Sequence, residues 1–173
     1  MDNQNFVTAR LKIRPTSIED TKFIFELMNT PKWIQNIGDR GIETLVDAEN
    51  YINNNMTPQL ERLGYSNYTV IRKSDNLKIG ICGLYDREGL KGIDLGFAFL
   101  PEYEKKGYAF ESAQAIVKAA TEQFSLNRLC ATTVHNNFAS QKLLRKLGFE
   151  FSKPIRLKES ELLLFEIKLN GKH

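Results

Sequence analysis

Between Tyr65 and Leu100 the apolar residues of this chain recur at every second position in three consecutive runs. The runs are 68–71, 79–85 and 93–100, and polar, glycine-bearing or Asp/Asn-containing stretches separate them. A period of two is typical of β-strands, and short polar linkers join strands that follow one another in a sheet. The middle of the chain therefore predicts three successive strands in a meander.

Helical spacing of apolar residues occurs on both sides of this meander. Before it, one helix is predicted from Ser17 to Asn29, stopped by Thr30-Pro31, and a second from Thr44 to Leu63, kinked or split at Pro58. After it, apolar stripes predict helices over 113–124 and 139–147, the last closed by Gly148. Further strands are predicted at 10–14, 129–134 and 163–169, and 152–154 is interpreted as a loop. The order β-α-α-β-β-β-α-β-α-β indicates a mixed α/β layered domain.

Size and charge limit the possible functions. A chain of 173 residues with 42% hydrophobic composition predicts one domain over 1–173, without a membrane span. Met1 to Asn5 lack the layout of a secretory signal, so we expect a cytoplasmic protein. The net charge of +3 is too small and dispersed for nucleic-acid binding.

Cys82 and Cys130 lie in apolar runs without metal-ligand spacing, which predicts reduced core residues and no metal site.

A strand, a turn and a helix follow one another from Gly96 to Glu111. A helix N-terminus has unpaired N–H groups and a partial positive charge, so it can hold a diphosphate. Gly107 would let a phosphate approach the backbone, and Lys105 and Lys106 add positive charge at the rim. Taken alone, the same segment fits an ordinary connection with a solvated lysine pair.

The segment His135 to Phe149 adds a second signal, with Asn137 at a predicted helix start and Ser140 one turn later. Together the two segments resemble the GNAT acetyltransferase superfamily, and specifically its RimJ/RimL-like branch. The resemblance spans about residues 8–169. It rests on four motifs in the family's order, at Arg10 to Pro15, Asp94 to Phe97, Pro101 to Glu111 and Asn137 to Phe149.

The resemblance implies acetyl-CoA as co-substrate and a GNAT fold, with a mixed central sheet whose strands splay beside the turn. It assigns the pantetheine arm to the backbone of Phe97, Ala98 and Phe99, and to Asn137, which as a helix N-cap has an ordinary structural role as well. The diphosphate is assigned to Glu104, Lys105, Lys106, Gly107, Tyr108 and Ala109. Glu104 departs from the family, which usually has Gln or Arg there, and its carboxylate would repel a diphosphate.

The catalytic residues implied by the resemblance are Asp94 and Ser140. Asp94 matches the position of a general base, acting directly or through water, although a charged strand end facing solvent fits as well. Leu144 stands where many members have a tyrosine that protonates the departing sulfur, so Ser140 is the nearest substitute or merely a capping residue. Glu111 is interpreted as stabilising the helix dipole, and His135 as a polar surface residue.

The acceptor implied by the branch is a primary amine, with a protein N-terminal α-amine as the leading candidate. A small amine such as a polyamine, an amino acid or an aminoglycoside is the alternative, and a non-catalytic acyl-CoA-binding module is a third. The branch also often forms homodimers.

Overall fold

An eight-stranded sheet runs through the molecule in the computed structural model, which describes residues 4–171. The strand order is β1-β2-β3-β4-β5-β6-β8-β7, and every neighbouring pair is antiparallel except β5 and β6. The strands are β1 Phe6–Val7, β2 Leu11–Pro15, β3 Asn67–Arg72, β4 Leu77–Tyr85, β5 Asp94–Phe99, β6 Arg128–Thr133, β7 Glu150–Leu157 and β8 Ser160–Lys168. Residues 1–3 and 172–173 of the predicted domain lie outside the described residues.

Helices cover both faces of the sheet. They are α1 Thr21–Met28, α2 Pro31–Asn36, α3 Leu45–Tyr51, α4 Thr57–Leu63, α5 Tyr108–Glu122 and α6 Phe138–Lys146. The core beneath α5 includes Cys82 of β4, whereas the core beneath α1 and α3 includes its neighbour Ile81. Successive strand residues point to opposite faces, so the two cores lie on opposite sides of the sheet. This is the mixed α/β architecture that the sequence predicted.

The predicted meander and the helices on either side of it are confirmed. The helix before the meander is split as expected, because a π-helical stretch at Ile52–Met56 separates α3 from α4. Pro58 lies in the first turn of α4, where a missing N–H costs nothing. Cys82 and Cys130 are free and buried.

Three elements were missed by the sequence reasoning: the two-residue strand β1, the helix α2 and the strand β7. Thr30-Pro31 ends the first helix but also begins α2, since the Thr30 hydroxyl caps the Trp33 N–H and Pro31 occupies the first turn. The prediction of a loop at 152–154 is wrong, because β7 spans it. β7 is an edge strand, so it is mostly exposed and tolerates Pro154. Its sequence therefore lacks the alternating apolar residues that indicate a strand, and it contains a proline, which argues against one.

No helix among the described residues is long and apolar enough to cross a membrane.

Candidate active site

The central feature of the site is a gap between two neighbouring parallel strands. β5 and β6 are in register only at Asp94 and Cys130, and Cys130 N–H donates to the Ile93 carbonyl at 2.9 Å. Beyond that point the strands diverge, so the facing edge of Gly96 to Phe99 is not paired with β6 in the described structure. A ligand with amide groups can pair with such an edge.

The turn after β5 leads directly into the N-terminus of α5. Lys105 and Gly107 have φ angles of 59° and 84°. Gly107 is the N-cap residue, and no side chain caps the helix there. The first N–H groups of α5 are therefore available to an anion, as the sequence predicted for a diphosphate.

Arg10 and Glu111 fix this turn from the other side. The Glu111 carboxylate accepts hydrogen bonds from the Thr8 hydroxyl at 2.7 Å, the Arg10 backbone N–H at 2.8 Å and Arg10 Nε at 2.7 Å. Arg10 Nη1 also donates to the Lys106 carbonyl at 2.9 Å. Although partial burial opposes the change, these hydrogen bonds lower the pKa of Glu111. Glu111 thus ties the β1–β2 connection to the first turn of α5.

A cavity of about 780 Å³ connects the strand gap, the turn and the helices α2 and α6. Of the twelve residues predicted for the site, eleven line it: Asp94, Phe97, Ala98, Phe99, Glu104, Lys105, Gly107, Tyr108, Ala109, Asn137 and Ser140. Lys106 is exposed and is not among the lining residues. The Tyr108 side chain is 8% exposed and packs in the core, with the Arg10 guanidinium 4.3 Å from its ring centroid.

Asp94 is buried rather than facing solvent. It is 2% exposed, and Arg87 Nε lies 3.0 Å from its Oδ2. Its other oxygen, Oδ1, is buried without a hydrogen-bond partner among residues 4–171. Burial raises the pKa of this carboxyl to about 7, while the Arg87 guanidinium acts in the opposite direction. A carboxyl of this kind can accept and release a proton near neutral pH.

Asn137 and Ser140 meet at the start of α6. Asn137 Oδ1 accepts a hydrogen bond from the Ser140 backbone N–H at 3.2 Å, so the N-cap interpretation of Asn137 is confirmed. The Ser140 hydroxyl makes no hydrogen bond with the described part of the chain, whereas Leu144 is buried in the core. His135 is exposed, and its carbonyl accepts from Gln141 Nε2 at 2.8 Å.

Several lining residues were not predicted from the sequence. Lys32 and Trp33 come from α2, which the sequence reasoning missed, and Arg87 comes from the loop between β4 and β5. Lys32 forms an ion pair with Glu104, the residue that departs from the family motif. The expected repulsion between Glu104 and a diphosphate is therefore offset by a neighbouring cation. A lysine that directly follows a proline gives no sequence signal for this role.

These features fit an acyl-CoA. The unpaired edge of β5 suits the amides of a pantetheine arm, and the uncapped N-terminus of α5 suits a diphosphate. A Cβ on Gly107 would lie 3.1 Å from Arg10 Nη2 in a left-handed backbone conformation, so the turn requires glycine. No group of three or more His, Cys, Asp or Glu residues that could hold a metal ion occurs in the described part of the chain.

Comparison with known proteins gives a consistent result. Residues 10–150 match the family model described as acetyltransferase (GNAT) domain. The chain is 29% identical to the N-acetyltransferase YnaD of Bacillus subtilis over 144 residues, which are 83% of this chain and 81% of that protein. It also resembles the crystal structure of a GNAT-family acetyltransferase from Bacillus anthracis, with a TM-score of 0.78, 25% identity, and coverage of 95% and 98% of the two chains.

A further solved structure shares the fold at lower identity. It is the ribosomal L7/L12 α-N-protein acetyltransferase RimL in complex with coenzyme A, with a TM-score of 0.82 and 16% identity. The alignment covers 96% of this chain and 98% of that one.

Proposed function

The chain belongs to the GNAT acetyltransferase family, and within this family of enzymes we propose that it acetylates the N-terminal α-amine of a protein. The observation that carries the proposal is the buried carboxyl of Asp94, which lines the same cavity as the turn at Gly107.

The pKa of Asp94 suits an α-amine. An amine must lose a proton before it can attack a carbonyl, and a protein α-ammonium has a pKa near 7.7–8.0. Transfer of that proton to a carboxylate whose conjugate acid has a pKa of about 7 is uphill by only about 1 kcal/mol. The same transfer from a lysine-like ammonium would be uphill by about 5 kcal/mol. A single buried carboxylate is therefore a sufficient base for an α-amine.

The charge of the cavity supports the same acceptor class. Five lining residues are cationic (Lys32, Arg87, Lys105, Lys142 and Lys146), and two are carboxylates, Asp94 and Glu104. Both carboxylates are already paired with a cation, Asp94 with Arg87 and Glu104 with Lys32. A polyamine or an aminoglycoside carries several positive charges, and the described lining offers no unpaired carboxylate to bind them.

Acetyl-CoA supplies the activated acetyl group as a thioester. In our proposal, the backbone of Phe97, Ala98 and Phe99 pairs with the pantetheine amides, and the turn 104–109 holds the diphosphate. The amide of Asn137 adds a contact, since its Oδ1 is used by the cap but its Nδ2 donors are not. The uncapped amides of α5 and the lysine-rich lining support this placement.

The proton transfers are assigned to two side chains. Asp94 accepts, directly or through a water molecule, the proton that the acceptor ammonium loses before its nitrogen attacks the thioester carbonyl. As the C–N bond forms and the C–S bond breaks, the Ser140 hydroxyl donates its proton to the departing sulfur and regains one from the nitrogen, which loses its second proton on becoming an amide. The unpaired hydroxyl of Ser140 in the cavity wall supports its role.

We also propose a cytoplasmic location and a homodimer, the latter on the resemblance alone. Size-exclusion chromatography with light scattering tests the homodimer.

The decisive experiment measures thiol release from acetyl-CoA with a panel of acceptors. The panel contains peptides with a free α-amine, the same peptides with a blocked N-terminus and an internal lysine, spermidine, free amino acids and an aminoglycoside. We expect kcat/KM to be at least tenfold higher for the free α-amine peptides, with mass spectrometry locating the acetyl group at the N-terminus. Preference for spermidine or the aminoglycoside would contradict the proposal. Binding of acetyl-CoA without release on any acceptor would favour a non-catalytic module.

A further inference from the structure

Lys32 of α2 reaches the turn that begins α5. Its Nζ forms an ion pair with the Glu104 carboxylate, although 72 residues separate the two positions in the chain. Both residues line the cavity, and their side chains are 55% and 26% exposed. The ammonium group therefore lies next to Glu104 in the turn before α5, on the wall of the same cavity as Lys105 and Gly107.

The chemistry of an ammonium group leaves room for a second partner. Lysine has three N–H donors, and the bond to Glu104 uses one of them. Glu104 itself cannot contact an anion favourably, because a carboxylate only accepts hydrogen bonds. We propose that Lys32 binds the diphosphate of the acyl-CoA, so that α2 supplies the cationic contact that the turn lacks at position 104. The proposal rests on the placement of acetyl-CoA given above.

A weaker role for Lys32 would also agree with the ion pair. In that case Lys32 only neutralises Glu104 and never touches the phosphates. The two roles differ in one measurable way. A neutralising lysine becomes dispensable once Glu104 is uncharged, whereas a phosphate-binding lysine still contributes. The geometry favours phosphate binding, because Lys32 faces the cavity rather than lying behind the turn.

The test is a double-mutant cycle on coenzyme A affinity, measured by calorimetry on the full chain. The variants are Lys32→Gln, Glu104→Gln and the double variant, with Lys22→Gln on α1 as the matched control, because Lys22 is exposed and is not a lining residue. We expect Lys32→Gln to weaken binding about tenfold in the parent and at least severalfold in the Glu104→Gln background. Lys22→Gln should leave the Kd unchanged.

Further measurements make the outcome specific. Pantetheine, which has no phosphates, should bind the parent and Lys32→Gln equally well, and circular dichroism should show that every variant is folded. An effect of Lys32→Gln that disappears in the Glu104→Gln background would overturn phosphate binding by Lys32. An equal loss of pantetheine affinity would overturn it as well, because it would indicate a distorted cavity. A parent chain that binds no coenzyme A would instead refute the cofactor placement itself.

Discussion

Nε of Arg87 lies 3.0 Å from Oδ2 of Asp94, so a cation from the loop after β4 holds one oxygen of a carboxyl that is 2% exposed. Asp94 is also the residue at which β5 and β6 are last in register, opposite Cys130. The carboxyl is thus placed at the apex of the gap between the strands. Burial raises its pKa to about 7, and the Arg87 guanidinium and the backbone of Thr132 oppose that change.

Asp94→Asn should lower kcat for an α-amine acceptor by about 10²–10⁴-fold, the usual contribution of a general base. The Kd for coenzyme A should stay within about twofold, because the proposed diphosphate contacts come from the turn 104–109. An assay of thiol release measures kcat, and calorimetry measures the Kd for coenzyme A. The matched control is Asp86→Asn, since Asp86 is an exposed carboxylate in the adjoining loop, paired with Arg62. Equal kcat in the parent and in Asp94→Asn would remove Asp94 from the mechanism.

Arg87→Gln should shift the pH dependence of the reaction. If Asp94 acts as its carboxylate, kcat/KM in the parent rises with pH through an apparent pKa near 7. Loss of the Arg87 guanidinium removes the cation that favours ionisation, so the rise should move to higher pH. The other titratable groups whose charges interact with Asp94 are Tyr85 and Cys130, and the pKa values of both are raised by burial.

The control for this shift is Arg62→Gln, because Arg62 is likewise paired with a carboxylate, here Asp86, but both residues are exposed. Its pH profile should coincide with that of the parent. A profile for Arg87→Gln that also coincides with the parent would show that Arg87 does not set the ionisation of Asp94.

Much of the fold followed from apolar periodicity, because the meander strands and the longer helices each bury a regular stripe. The turn before α5 and the start of α6 followed as well, since Gly107 and Asn137 have local backbone roles that the sequence indicates, whereas their binding of the cofactor stays a prediction. α2 and β7 did not follow, because both bury few residues and contain a proline. Lys32 and Arg87 could not have been predicted either. Their partners, Glu104 and Asp94, are brought near by the tertiary fold rather than by local sequence.

Asp94 should also make the stability of the fold depend on pH. Its folded-state pKa of about 7 lies above the ordinary aspartate value of 3.8, so between about pH 4 and 7 the native state binds more protons than the unfolded state. Stability contributed by the protonated carboxyl is therefore lost as pH rises through that window. The stability of Asp94→Asn relative to the parent should therefore increase by about 2–4 kcal/mol between pH 5 and pH 8. Urea denaturation at the two pH values measures the difference, and a gain that is equal at both would contradict the burial argument.

Ser140→Ala should separate chemistry from capping. The Asn137 cap uses the backbone N–H of Ser140, so removing the hydroxyl leaves the cap intact. For Ser140→Ala we expect an unfolding free energy within about 0.5 kcal/mol of the parent, an unchanged Kd for coenzyme A and a lower kcat. Asn137→Ala removes the capping side chain itself, so it should lose about 1 kcal/mol of stability and bind pantetheine more weakly. If Ser140→Ala retains the full kcat, the proton for the departing sulfur comes from solvent.

Gly107→Ala should weaken coenzyme A binding by more than its effect on stability explains. Gly107 has a φ of 84°, and its added Cβ would lie 3.1 Å from Arg10 Nη2, so the backbone is strained and the Arg10–Glu111 contact is disturbed. The chain offers a close control in Gly64, which ends α4 with the same φ of 84° and has no atom within 4 Å of an added Cβ. Each alanine should cost about 1 kcal/mol of stability for the left-handed conformation. Only Gly107→Ala should also raise the Kd for coenzyme A, by about tenfold or more, because it alters the turn that receives the diphosphate. Equal Kd values for the two variants would show that the turn at Gly107 does not hold the cofactor.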